Sequence, residues 1–281
     1  MEVVAMGPDK IGAEILRKAE KLGRLLQGSG GAVIAFSGGV DSTYLLYRAL
    51  QSRGVESVLA VTAVSPLQAP GEAAEAKKIA RFLGANHLIL PFKILDREEF
   101  LLNTRQRCYY CKCHLFDCLL EIAARYRLPT VWEGANLDDA GEYRPGLTAA
   151  RERAVESPLM EVGLTKREIR RLSRAGGLPT WDRAASPCLA TRFPYGERLE
   201  REKLRLVARA ERYLKGLGFR GELRVRYPGK VARIEVPVQE QVVLLARREV
   251  VAAGLKRLGF EHVTLDLVGF QSGGFDREPP R

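Results

Sequence analysis

Six consecutive residues, Ser37, Gly38, Gly39, Val40, Asp41 and Ser42, stand between an apolar run, AVIAF, and the first turn of a helical pattern. A turn between a buried strand and a helix is where backbone N–H groups and the helix dipole can hold phosphate. Gly38 and Gly39 let the chain bend against phosphate oxygens, and the Ser37 and Ser42 hydroxyls offer further hydrogen bonds. The GxxxxGK[ST] loop of kinases and GTPases is absent, and with it the lysine that would reach the β- and γ-phosphates. Asp41 occupies the middle instead. A carboxylate beside a polyphosphate suits Mg²⁺, which neutralises pyrophosphate as a leaving group, so the natural reaction is attack at the α-phosphate of ATP to form an adenylate. A tight turn with a helix cap would explain a bare Gly-Gly-x-Asp; six such residues at a strand–helix junction favour the phosphate loop.

Thiols are the second reactive set. Five cysteines, three of them in CYYCKC, argue for metal binding or catalysis rather than a disulfide framework. Cys188 lies in ASPCLATRFPYG, a Pro-bracketed loop between Arg183 and Arg192. Neighbouring positive charge favours the thiolate and hence attack on an activated acyl group; the plain alternative is an inert, packed thiol. Cys118 reads as a core residue of a helix, and the role of Cys113 stays open.

Arg224 and Arg226, in LRVRY, are two apart on a strand and so share one face, where paired guanidiniums can grip phosphate or carboxylate. Arginines on an exposed strand can also serve solubility alone.

These groups need elements to hold them. Ile11, Ile15, Leu22, Leu25 and Leu26 suggest an opening amphipathic helix. AVIAF, a helix from Asp41, SVLAVTA, a helix near 71–83, HLILPF, a helix near 110–125 and PTVWEG then alternate, which predicts a doubly wound parallel α/β sheet. Ligands sit at the carboxyl ends of such strands. Thr62 ends the second strand, and Gly134, Asn136 and Asp138 follow the fourth, so these residues are expected to complete the nucleotide site. Residues 135–195 are expected to be irregular except for one helix begun by Thr165, with Glu168 as its capping box. A helix near 201–217, the strand pair ELRVRY and KVARIEV, a helix near 239–258 and a strand near 262–268 predict a smaller α+β domain. The expected organisation is a nucleotide-cleaving domain over 1–195, a substrate or oligomerisation domain over 196–270, and a loose tail over 271–281.

The net charge is +11, and residues 201–281, with 17 Lys and Arg against 10 Asp and Glu, supply +7 of it. The basic residues are scattered rather than clustered among aromatics, so a small anionic nucleotide is expected as partner and nucleic acid is not. No stretch approaches the ~20 apolar residues of a membrane span, and MEVVAMGPDK lacks the order of a signal peptide, so no membrane association and a cytoplasmic location are expected.

SGGVDS resembles the signature of the PP-loop ATP pyrophosphatases, and EGANLDD, Glu133 to Asp139, resembles their second acidic motif. That likeness implies ATP cleaved to AMP and pyrophosphate, with Asp138 and Asp139 beside nucleotide and Mg²⁺. Over about residues 10–270, SGGVDS, RCYYCK, EGANLDD, YRPG with SPLMEVGLTKREIR, SPCLATRFPYG, and LRVRY followed by ARIEV occur in the order seen in LarE-type sulfur transferases. The resemblance implies an enzyme that adenylates a carboxylate of pyridinium-3,5-biscarboxylate mononucleotide and inserts sulfur, giving the thiocarboxylate precursor of a nickel-pincer cofactor. It implies that Cys188 is the key thiol, that Arg224 and Arg226, with Arg192, bind substrate, and that Glu235 is linked to a metal. It also implies a homo-oligomer, with a hexamer as one form. Such enzymes either consume the cysteine as sulfur donor or carry sulfide on a [4Fe-4S] cluster held by three cysteines. Cys108, Cys111 and Cys188 would supply three thiolates and leave one iron open, which favours the cluster; zinc would need Cys113, His114 or Cys188 to complete a four-ligand set. Arg144, in YRPG, is expected near the nucleotide. The rival readings are a tRNA thiolase, which would need an RNA-binding module, and a non-catalytic ATP- or metal-binding module, which would need no reactive Cys188.

Overall fold

A computed structural model describes residues 11–28, 30–141, 145–219 and 221–271. Arg144 and the tail from 272 onward lie outside the described residues. In chain order the elements are α1 (Ala13–Gly28), β1 (Ala32–Ala35), α2 (Val40–Arg53), β2 (Val58–Val64), α3 (Glu72–Phe82) and β3 (Asn86–Pro91). They continue with α4 (Glu98–Leu101), α5 (Arg107–Tyr126), β4 (Thr130–Trp132), α6 (Pro145–Glu152), α7 (Pro158–Glu161), α8 (Lys166–Ala175) and α9 (Arg201–Gly216). Last come β5 (Arg224–Arg226), β6 (Val231–Glu235), α10 (Val238–Ala246), α11 (Arg248–Leu258) and β7 (His262–Leu265).

The chain divides into two compact units. The first, residues 1–64, 71–92 and 108–185, is built on a parallel sheet of order β3-β2-β1-β4. Side chains alternate across a strand, so Ala32 and Ile34 of β1 enter one apolar layer and Val33 the other. On the first face Leu22 and Leu26 of α1, Tyr44 and Leu45 of α2, Ile79 of α3 and Ile169 of α8 pack together. On the other face Phe116 and Leu119 of α5 and Ala149 of α6 cover Val61 and Val131. A parallel sheet with helices on both faces is the doubly wound architecture the alternation predicts. The strand order reverses between β1 and β4, and in open sheets of this kind the carboxyl edge at such a reversal is where ligands bind.

The second unit, residues 65–70, 93–107 and 186–281, carries the mixed sheet β5-β6-β7. β5 and β6 pair antiparallel across a turn in which Gly229 and Lys230 both adopt positive φ, and β7 adds parallel to β6. Leu204, Val207 and Leu214 of α9, Val225, Ile234, and Val251 and Leu255 of α11 are buried. This is a smaller α+β body of the kind the sequence predicts, with residues 65–70 and 93–107 added to it.

Three local expectations need correction. The helix foreseen over 239–258 is two helices, broken at Arg247, whose φ of −105° and ψ of 14° leave the helical range. α6, with Pro145 at its first position, is an additional helix in the stretch expected to hold only one. Cys118 is half-buried rather than core, because the inward stripe of α5 runs through Cys113, Phe116, Leu119 and Ala123 and bypasses it. Among the described residues no helix is long and apolar enough to cross a membrane.

Candidate active site

The first unit gathers the sequence-level nucleotide residues around the β1–α2 junction. Gly38 has φ of +71°, and a Cβ there would lie 3.0 Å from the Ala76 Cα, so both backbone conformation and the approach of α3 require glycine. Gly39 N–H donates to Ser37 Oγ at 3.2 Å, Ser37 N–H donates to Ser42 Oγ at 3.3 Å, and the two hydroxyls lie 3.1 Å apart. These short bonds fold the loop back on itself before α2 begins. No side chain caps α2, so the first N–H groups from Val40 onward face the loop mouth without an intrahelical acceptor. Gly134, just past β4, has its missing Cβ position 3.0 Å from the Ser42 nitrogen. The two loops at the strand-order reversal therefore meet backbone to backbone.

Thr62, expected beside the nucleotide, is buried and donates its hydroxyl to the Phe36 carbonyl at 2.7 Å. Its only hydrogen is thus spent, so the His87 Nε2, 2.8 Å away, donates to it. Burial, helped by Lys77, lowers the pKa of His87. This pair fixes the end of β1, from which the phosphate loop springs.

Asp41 is held by a residue absent from the sequence-level set. Lys166 Nζ donates to Asp41 Oδ2, whereas Asp41 Oδ1 is buried with no partner. Burial raises the Asp41 pKa against the lowering pull of Lys166, and Asp139 pushes it up further. Asp138 Oδ2 accepts from the Lys166 backbone N–H at 2.9 Å, at the start of α8. Asp139 Oδ2 accepts from Asn136 N–H at 2.9 Å, and Asn136 Oδ1 accepts from Asp138 N–H at 3.0 Å. The acidic motif is thus a self-bonded turn that anchors α8. Arg183 Nη1 donates to the Gly38 carbonyl at 3.0 Å, bringing a guanidinium to the loop itself. Glu133, buried at the end of β4, accepts from Lys112 Nζ at 2.6 Å and from Ser157 Oγ at 3.2 Å.

The second unit holds Cys188 and the candidate substrate arginines. Cys188 precedes a 3₁₀ turn, Leu189–Arg192, and its carbonyl accepts from Thr191 N–H at 3.0 Å and Thr191 Oγ1 at 2.9 Å. Arg192 is buried and donates to both carboxylate oxygens of Glu211, at 2.8 and 3.1 Å. Its Nη1 donates to the carbonyls of Pro187, at 3.0 Å, and Cys188, at 3.3 Å. Arg192 is therefore a clamp on the thiol loop. Glu211 also accepts from Val225 N–H at 3.1 Å, which ties that loop to β5.

Arg226 makes a buried two-pronged pair with Glu235, Nε to Oε1 and Nη2 to Oε2 both at 2.9 Å, and donates to the Thr191 carbonyl at 2.7 Å. Arg224 donates to its neighbour's carbonyl, Leu223 O, at 2.8 Å and stacks over Phe270 at 4.9 Å. Burial lowers its pKa, and Arg192 and Arg226 add to that. Around β5, three buried guanidiniums thus face two buried carboxylates, Glu211 and Glu235. The surplus positive charge suits an anion.

Cys108 and Cys111, neither of them in a disulfide, lie one turn apart near the start of α5 in the first unit; Cys188 belongs to the second. Among the described residues no three His, Cys, Asp or Glu side chains form a metal-binding group. Cys108 and Cys111 are the soft donors that an iron–sulfur cluster takes. Mg²⁺ is different: an orphaned, buried carboxylate oxygen on Asp41, beside a phosphate loop, is the hard donor that ion takes.

Lys166, Glu211 and Lys112 were not singled out from sequence. Glu211 alone had a signal there, being a carboxylate in the apolar stripe Leu204, Val207, Ala210 and Leu214.

Curated relatives span most of the chain. An uncharacterized protein of Synechocystis sp., slr1717, is 42% identical over 249 residues, which is 88% of this chain and 92% of that protein. Pyridinium-3,5-bisthiocarboxylic acid mononucleotide synthase of Lactiplantibacillus plantarum is 39% identical over 240 residues, 85% of this chain and 87% of that protein. An uncharacterized protein of Methanocaldococcus jannaschii, MJ0830, is 28% identical over 240 residues, 85% of this chain and 90% of that protein. No family profile matches the chain.

Proposed function

The chain belongs to the LarE-type sulfur transferases, the family of the Lactiplantibacillus synthase, and from that membership we propose an ATP-dependent enzyme that places sulfur on pyridinium-3,5-biscarboxylate mononucleotide. The observation that carries the ATP half is the loop from Ser37 to Ser42, with the unpartnered Asp41 oxygen, at the point where strand order reverses. The polyphosphate lies against the N–H groups that open α2. Asp41, with Asp138 as the second carboxylate, would hold Mg²⁺, which supplies charge neutralisation for the departing pyrophosphate.

A substrate carboxylate oxygen attacks the α-phosphorus, the bond from that phosphorus to the bridging oxygen breaks, and pyrophosphate leaves with the electron pair. The product is an acyl adenylate. The buried arginine surplus around Arg224 and Arg226 holds the anionic substrate, and the ion pairs to Glu211 and Glu235 keep those guanidiniums fixed. A sulfur nucleophile then attacks the acyl carbon and AMP leaves.

Cys188 is the thiol on which transfer depends, because Arg192 and Thr191 immobilise its backbone while the residue itself stays partly exposed. If Cys188 is itself the donor, its thiolate forms a thioester. Loss of the Cα proton with cleavage of the Cβ–S bond then releases the thiocarboxylate and leaves dehydroalanine. A [4Fe-4S] cluster on Cys108, Cys111 and Cys188 is the other proposed donor; when bound it would supply sulfide from an open iron. The substrate is proposed to be this small anionic nucleotide rather than nucleic acid, and the protein to work as a homo-oligomer in the cytoplasm.

The test is product analysis. Purified protein given ATP, Mg²⁺ and the biscarboxylate mononucleotide is expected to yield a substrate-derived species with sulfur in place of one carboxylate oxygen. Mass spectrometry that finds only unchanged substrate would refute the assignment.

A further inference from the structure

The phosphate loop carries no lysine of its own, yet the fold brings one to it from 125 positions away in sequence. Lys166 is the first residue of α8, and its ammonium rests on one oxygen of Asp41, the acidic residue at the centre of the loop. Four contacts make this a built position rather than a chance surface pairing. Asp138 accepts from the Lys166 backbone N–H at 2.9 Å, and Leu137 N–H donates to the Leu164 carbonyl at 2.8 Å. Thr165 caps the helix with Glu168, and Glu168 accepts from Lys18 of α1 at 2.9 Å. The first turn of α8 is therefore pinned on both sides, and only the flexible lysine stem beyond it is free to swing.

The other cations near Asp41 are already committed. Arg170 donates to the Trp181 and Arg183 carbonyls, both at 2.8 Å, and Arg183 donates to the Gly38 carbonyl. Lys166 differs in being about a third exposed and in holding a single carboxylate oxygen. An ammonium on a four-carbon stem, with three rotatable donors, can leave that oxygen for a phosphate without moving backbone.

We propose that Lys166 is the phosphate-binding lysine of this site: on nucleotide binding its ammonium moves from Asp41 to the β- and γ-phosphoryl oxygens and stabilises pyrophosphate as it leaves. The inference rests on the reading that ATP binds at this loop. It assigns to α8 the work that the lysine inside the loop performs in kinases and GTPases. It also gives the second acidic motif a purpose, since Asp138 and Asp139 fix the helix that carries the lysine.

The test uses inorganic pyrophosphate in metal-free buffer, read by calorimetry on the whole protein, for wild type, Lys166→Met, Asp41→Asn and the double variant. Asp41→Asn releases the ammonium and is expected to bind more tightly than wild type. Lys166→Met is expected to weaken binding about 10-fold or more in both backgrounds, Lys166→Arg is expected to retain part of it, and kcat for pyrophosphate release falls about 100-fold in Lys166→Met. If Lys166 only neutralises Asp41, adding Lys166→Met to Asp41→Asn will leave affinity unchanged, and the proposal is overturned while the ATP site stands. Wild-type protein that binds neither pyrophosphate nor ATP overturns both. Should Lys166→Met fail to fold, Lys166→Gln replaces it, with the melting temperature as the control.

Discussion

Arg192 and Glu211 meet in a two-pronged ion pair, Nε to Oε1 at 2.8 Å and Nη2 to Oε2 at 3.1 Å, with both side chains almost wholly buried. One partner holds the Cys188 loop and the other holds β5, so the pair connects the thiol to the strand that bears Arg224 and Arg226. Removing one side of a buried pair strands the other charge. Glu211→Ala is expected to cost about 3–5 kcal/mol of stability in urea unfolding, whereas a change on the exposed face of α9, such as Arg209→Ala, stays within about 0.5 kcal/mol. Equal, small effects would show that the pair is not structural.

Asp41 should destabilise the empty protein at neutral pH. Its folded-state pKa is raised, chiefly by burial, so between the ordinary carboxylate value of 3.8 and the raised value the folded state holds more protons than the unfolded. Stability contributed by this group therefore falls as pH rises through that window. Asp41→Asn is expected to melt at a higher temperature than wild type near pH 7, with the difference shrinking as pH drops below the window. Thermal unfolding across pH reads this directly, and a lower melting point for Asp41→Asn at neutral pH would contradict it.

The loop glycines make a graded pair. Gly38→Ala must accept positive φ and a 3.0 Å approach to the Ala76 Cα, while Gly134→Ala, without positive φ, meets the Ser42 nitrogen at 3.0 Å and the Asp41 carbonyl carbon and Ser42 Cα at 3.3 Å. Gly38→Ala is expected to lose about 1–2 kcal/mol from the left-handed conformation alone, and both variants to weaken ATP binding. Unchanged ATP affinity in both, measured by calorimetry, would separate the loop from the nucleotide.

Cys188 can be tested apart from ATP cleavage. Cys188→Ala is expected to keep pyrophosphate release and to lose thiocarboxylate formation. Intact mass after one turnover then reports the donor: a chain lighter by one sulfur and two hydrogens marks Cys188 as consumed, and an unchanged chain with bound iron and sulfide marks the cluster. Thiocarboxylate made by Cys188→Ala would remove the residue from the chemistry altogether.

Much of this was legible in the residues because it is local. Alternating apolar strands and amphipathic helices predict the parallel sheet, SGGVDS predicts the turn before α2, and Thr165 with Glu168 predicts the capping box that begins α8. What escaped depends on residues far apart in the chain. Nothing in the spacing of Asp41 and Lys166 says that they touch, since only the packing of α8 against α2 brings them together. Arg192 reads as a free charge beside a thiol until the fold supplies Glu211 to satisfy it. Thr62, at the right strand end for a nucleotide, spends its hydroxyl on the Phe36 carbonyl. The inclusion of residues 65–70 and 93–107 in the second unit is likewise invisible in hydrophobic periodicity, because short connecting segments carry none.

Phosphorus NMR of the nucleotide products is the most direct measurement of adenylation at the loop from Ser37 to Ser42. With ATP, Mg²⁺ and pyridinium-3,5-biscarboxylate mononucleotide, AMP and pyrophosphate are expected in equal amounts, only in the presence of the carboxylate substrate, and lost in Asp41→Asn. ADP with inorganic phosphate, or pyrophosphate release that survives Asp41→Asn, would contradict it.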